Sequence, residues 1–211
     1  MRSQQRFRTG TALGLAGLLV TAAVVSAATA ASAHEADRPA TERARRLVDR
    51  SPDLVQPRAL TVDGSLGTRR AALEVRLAQQ LYTFWNTGEQ RYPDAAVAPD
   101  FRDNTLPEGR PQGPAGPAFA SRAFRAAVPD LTCELSDLLV TGDRITARLV
   151  FRGHFTGVFD GRRGEGRRGE GRRVEFDAID IQHVGTSRIT EDWHIEDNRT
   201  LLAQLGAATG H

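Results

Sequence analysis

Arg188-Ile189-Thr190-Glu191-Asp192-Trp193-His194-Ile195-Glu196-Asp197 runs into Leu201-Leu202-Ala203-Gln204-Leu205-Gly206, and this stretch decides the fold. It reads as an apolar strand that becomes a closing helix, with Asp197 at the junction. A carboxylate placed there can face the inside of a fold and lose water. Burial raises a carboxyl pKa, which suits a general acid or base working near neutral pH. Asp is also a favoured helix N-cap, so the same residue can serve only to start the helix.

Upstream, the chain is strand and turn. Gly185-Thr186-Ser187 leads back into a strand over Val174 to Val184. Ile145, Ala147, Leu149 and Phe151 alternate with Thr146, Arg148, Val150 and Arg152, the period-two pattern of a strand with one core face. Thr141-Gly142-Asp143-Arg144 is a tight turn, preceded by a strand over Leu131 to Val140.

Earlier still, helical spacing takes over. Leu73, Leu77, Leu81 and Phe84 recur on one face, with Thr68 as a cap and Gly88 as a stop. Asp94 to Asn104 reads as a short helix and a short strand. Pro107 to Pro117 is a Gly/Pro-rich loop, and Ala118 to Ala127 is a helix ended by Pro129. Helices, then antiparallel strands, then a terminal helix predict an α+β domain. In it the helices cover one face of a curved sheet around an apolar pocket.

The N-terminus reads as a leader. Arg2, Arg6 and Arg8 form a basic region, Thr11 to Val25 is uncharged and apolar, and Ala31-Ser32-Ala33 has the form of a signal-peptidase site. Residues 1–33 are therefore expected to be a cleaved signal peptide, which makes the protein secreted and confines membrane contact to that segment. An uncleaved anchor is the alternative, but the run is short for a span of about 20 residues. Residues 34–67 show little periodicity and are expected to be a flexible tail with a short helical piece at Thr41 to Asp49, and residues 68–211 are expected to be the folded domain.

The chain carries 28 basic residues and a formal charge of +2. Every basic residue is Arg, and three of them lie in the leader, so the mature charge is near −1. That balance is no nucleic-acid footprint. Cys133, the only cysteine, sits in an apolar stretch, allows no intrachain disulfide and reads as a buried thiol. Residues 161–173 repeat Gly-Arg-Arg-Gly-Glu, with six Arg against two Glu. Such a segment cannot pack a core and reads as an extended hairpin tip, or as a contact for an anionic surface. The five histidines lack metal-site spacing, and neither a phosphate loop, a dinucleotide glycine pattern nor a nucleophile elbow occurs.

Six short blocks, in order, resemble the SnoaL-like polyketide cyclase (ester cyclase) family, which has the NTF2-like cone fold. They are Phe84 to Gly88, Ala98 to Asn104, Phe124 to Leu131, Gly142 to Arg148, Gly153-His154-Phe155-Thr156-Gly157, and Glu191 to Gly206. The resemblance implies ring closure by intramolecular aldol chemistry with neither metal nor cofactor. It implies a buried Asp, matched by Asp197, as the acid–base group, and a helping His, matched by His183. It also implies that Asn104 and His154 face the cavity, with Trp193 and Tyr82 as candidate lining. The expected ligand is a small apolar carbonyl compound, and the expected assembly is a homodimer. The alternative is a non-catalytic extracellular protein of the same fold that binds a small hydrophobic ligand.

Overall fold

The computed structural model describes residues 41–159 and 161–206. The signal peptide expected at residues 1–33, and residues 34–40 of the expected tail, lie outside the described residues. The remainder of that tail is folded, which corrects the reading of 34–67 as flexible. A helix over residues 41–47 (α1) buries Ala44 and Leu47, and Leu54 is buried beyond it. The buried Gln79 amide ties this segment down: its Oε1 accepts from Asp49 N–H at 3.0 Å, while its Nε2 donates to Asp49 O and Val55 O at 2.8 and 3.0 Å. Strand β1 (Ala59–Val62) then joins the sheet. Val48, Val55, Leu60 and Val62 also pack on the core, Thr83 Oγ1 accepts from Val55 N–H at 2.9 Å and Arg76 pairs with Asp49, so scattered anchors hold the part of the segment beyond the helical piece expected at Thr41 to Asp49.

Helix α2 (Thr68–Thr87) is the long helix expected from its leucine spacing. Gly88 closes it in the left-handed conformation, φ 75°, donating its N–H to Phe84 O. Thr68 is no cap: it lies inside the helix, and Gly67 takes the cap position without a side-chain bond. Helix α3 (Arg91–Ala96) leads directly into β2 (Val97–Asp103). Helix α4 (Ala115–Ala127) begins three residues before its expected start.

Four antiparallel strands follow: β3 (Thr132–Thr141), β4 (Arg144–Phe155), β7 (Arg172–Val184) and β8 (Ile189–Glu196). The minor strands β5 (Val158–Phe159) and β6 (Arg162–Arg163) pair within the Arg/Gly hairpin. Helix α5 (Asn198–Gln204) ends the fold. The main sheet runs β1-β3-β4-β7-β8-β2, with β1 and β2 added in parallel at its edges. The α+β fold class is as expected: a curved, mainly antiparallel sheet whose inner face is covered by helices.

The core fills the space between α2 and that inner face. Val75, Ala78 and Tyr82 of α2 meet Leu135, Leu138, Ile145, Leu149 and Phe176 of the sheet, all buried. Cys133 is buried among them, and burial pushes its thiol well up, so it stays protonated.

Candidate active site

The outer face of the sheet, not its inner face, carries Ile179 and Ile181 of β7 and Ile195 of β8, whereas Ile189, past the register shift near the β7–β8 turn, is buried in the core. Ile179, Ile181 and Ile195 are exposed, the last at 75%. In register with them, the inner phase of β7 is Phe176, Ala178, Asp180 and Gln182, and that of β8 is Asp192, His194 and Glu196. Cross-strand pairing puts Asp180 directly opposite His194 and Gln182 opposite Asp192, while β2 brings Asp103 beside Asp192. On the far side of Asp180 the sheet carries Ala147.

The pocket encloses about 40 Å³. Asp103, Arg110, Asp180, Asp192, His194 and Glu196 line one side. The other side is aromatic. Phe151 stacks on Phe176 at 5.0 Å and 12°, Phe124 stacks on Phe176 at 6.0 Å, and Trp85 meets Phe151 edge-on at 5.7 Å. This wall turns an apolar surface toward the carboxyl groups.

His194 is held from both sides. Its Nε2 donates to Asp103 Oδ2 at 3.1 Å, and its Nδ1 faces Glu196 Oε1 at 3.2 Å. Burial alone would lower its pKa, but the two carboxylates outweigh burial and bring it up to about 10. Asp103 and Glu196 are correspondingly lowered: burial opposes their ionisation, and the imidazolium overcomes it. The trio is therefore a fixed charge cluster with one positive centre. Arg110 Nη1 lies 3.9 Å from Asp103 Oδ2 and adds a second.

Asp180 and Asp192 behave differently. Burial pushes Asp180 up to about 7, against the pull of His194 and of the Tyr82 hydroxyl, which donates to Asp180 Oδ2 at 3.1 Å. Burial, reinforced by the charge of Asp180, drives Asp192 well above the carboxylate range. Asp192 Oδ1 is shut off from solvent and has no hydrogen-bond partner. Side by side stand one carboxyl that keeps its proton at neutral pH and one poised to exchange it, an arrangement suited to acid–base work on a ligand in the pocket.

The expected site residues fall elsewhere. Asp197 caps α5: its Oδ1 accepts from Thr200 N–H at 3.0 Å and its Oδ2 from the Thr200 hydroxyl at 2.6 Å. It is exposed, and those two bonds lower its pKa, the reverse of the expected shift. His183 lies on the outer face, bonded to Thr190 Oγ1 at 2.9 Å and facing Asp143 Oδ2 at 3.1 Å. The expected pair is not assembled, because His183 lies next to the β7–β8 turn while Asp197 N–H bonds Asp177 O at the other end of the hairpin. Six residues of strand separate the two ends by about 20 Å.

Trp193 shares the outer face with Asp197 and packs under the Arg144 guanidinium at 5.4 Å. Asn104 turns to Glu191, donating from Nδ2 at 3.0 Å. His154 bonds Asp130 through its backbone N–H and its Nδ1, both at 2.8 Å. None of these three lines the pocket. Tyr82 is fully buried behind the wall and touches the site through Asp180 and through Gln182 Nε2, which donates to its hydroxyl at 3.2 Å. The missed residues did leave a trace: Asp180 and Gln182 share a phase with Phe176 and Ala178, and Asp192, His194 and Glu196 share the other strand's phase.

Comparison with known proteins gives the family of the fold. Residues 75–205 match the model of the SnoaL-like polyketide cyclase family, and the chain belongs to that family, whose activities are of the cyclase and isomerase type. A candidate polyketide cyclase from Bacillus cereus is 43% identical over 76% of this chain and 99% of its own, with a TM-score of 0.66. TsrD from Streptomyces laurentii is 29% identical over 65% of this chain and 97% of its own, with a TM-score of 0.55. The candidate polyketide cyclase IdmH from Streptomyces antibioticus is 30% identical over 62% and 96%, with a TM-score of 0.52. Among curated proteins, none matches the chain.

Proposed function

We propose that the protein is an acid–base catalyst that closes a ring, or moves a double bond, in a small apolar carbonyl compound, with Asp180 and Asp192 as the catalytic pair. The observation that carries this reading is the pair itself: two buried carboxyl groups, both raised, beside a fixed imidazolium. In ring closure, ionised Asp180 takes the proton from a carbon between carbonyl groups. The resulting enolate carbon bonds to a second carbonyl carbon of the same molecule. Asp192 gives its proton to the oxygen of that carbonyl, so one proton enters the pair and one leaves. His194 and Arg110 stabilise the negative charge that passes through the pocket. The aromatic wall holds the bent substrate and supplies proximity.

Deuterium exchange at the activated methylene of a β-keto ester, followed by NMR, tests the first half of this chemistry. Asp180→Asn should slow exchange at least about 100-fold, the usual scale of general-base catalysis. Exchange unchanged in that variant sinks the reading and leaves a ligand-binding protein.

Two further readings belong to the same proposal. Export is supported by the basic, apolar and small-residue order of residues 1–33. A homodimer is supported by the exposed Leu139, Ile179, Ile181 and Ile195 on the outer sheet face.

A further inference from the structure

A second hollow adjoins the carboxylate pocket. It encloses about 230 Å³ between α4, α5 and the strand β5, and its walls include Phe119, Ala123, Leu131, Leu201 and Leu205. Arg110, Phe124 and Phe176 line both spaces, so one opens beside the other. The two differ in chemistry. The carboxylate pocket is small and charged, with room for a carbonyl and the few atoms next to it. The larger chamber is apolar, and its charged side chains, Glu108 and Arg110, come from the loop before α4. Phe119 and Ala123 are exposed, so the hollow opens to solvent on one side, and its volume exceeds the roughly 150 Å³ of an apolar cavity that takes up benzene.

We infer that the substrate is a carbonyl compound with a hydrocarbon tail, its reacting end at Asp180 and Asp192 and its tail in the chamber between α4 and α5. The inference rests on the proposed chemistry for the identity of the head and on the chamber for the tail. A ring system studded with hydroxyls fits this wall poorly. Each hydroxyl set against the buried Leu131, Leu201 and Leu205 would be left without a partner, at a cost in affinity. A tail of methylene groups gains with each group buried, about fourfold in affinity per methylene.

Calorimetric titration of the full chain with straight-chain methyl ketones, pentan-2-one through tridecan-2-one, tests this. Affinity should rise about fourfold per added methylene and level off once the chamber is full. Ala123 is solvent-exposed in the chamber lining, so Ala123→Phe obstructs the space without crowding the core. That variant should lose the chain-length dependence and keep the affinity for pentan-2-one. A flat series in the unaltered protein overturns the inference. So does a slope that survives Ala123→Phe, or a trihydroxyanthraquinone that binds more tightly than the longest ketone. The readout needs no turnover. Failure of the proposed catalysis would leave the slope intact, and failure of the slope would leave carbon-acid exchange intact.

Discussion

The Tyr82 hydroxyl contacts one carboxylate oxygen, and after burial and His194 that bond helps set where the site titrates. It favours the charged form of Asp180. Tyr82→Phe should therefore raise the Asp180 pKa above about 7, moving the low-pH limb of carbon-acid exchange to higher pH, readable from a pH–rate profile. Asp197 is the contrasting residue. Its carboxylate serves the first turn of α5, so Asp197→Ala should lower the melting temperature by a few degrees and leave exchange activity unchanged. The sequence signals for these two residues were easily confused. In a strand, residues four apart share a face, so Trp193 and Asp197 point together; the fold turns that face outward. The choice between phases depends on which face the helices cover, and β8 alone does not contain that information. Inward-facing Asp180, Gln182, Asp192, His194 and Glu196 break the rule that the polar phase is the wet one, as functional sites do.

Elements were more legible than residues. The leucine spacing of α2 and the alternation of β4 report burial directly, because each has one wet and one dry side. The helix over 41–47 matches the helical piece read at Thr41 to Asp49, whereas the rest of the α1–β1 segment shows no periodicity because discrete side-chain anchors, Gln79 above all, hold it. The Arg/Gly repeat also had more structure than its composition suggests. Arg162 bonds Gly206 O, and Arg172 Nη1 donates to Gln204 O at 3.1 Å, so the hairpin supplies the cations that α5 lacks at its C-terminal end. Arg162→Ala with Arg172→Ala should speed amide hydrogen exchange across α5 while sparing β4 and β7. At the hairpin base, Gly157 N–H reaches Ala127 O at 3.0 Å, and a β-carbon on Gly157 would lie 1.8 Å from Ala126 O. Gly157→Ala should cost about 1–3 kcal/mol in denaturant titration, since the end of α4 must shift.

At the scale of the molecule, the pocket makes stability depend on pH. Asp180 keeps in the folded protein a proton that the unfolded chain releases near pH 3.8, so stability should fall as pH rises from about 4 through about 7. His194 acts in the same direction. Its contribution is complete below its unfolded value of 6.5 and is lost as pH rises through about 10. Asp103 and Glu196, both lowered, contribute stability that disappears only as pH falls through their folded values. The melting temperature should accordingly decline between pH 5 and 8, and Asp180→Asn should flatten that decline. If the outer sheet face pairs two copies, Ile195→Glu should convert a dimer to a monomer in light scattering without changing the pocket.

The measurement closest to the central claim is the carboxyl carbon resonance of Asp-labelled protein followed by NMR against pH. The pocket should keep at least one aspartate protonated at neutral pH, with a second titrating near 7, and Asp192→Asn should remove the signal that persists. If every aspartate in the unaltered protein has ionised by about pH 5, as ordinary solvated carboxyls do, the two carboxyl groups are not held dry and the assignment of the site fails.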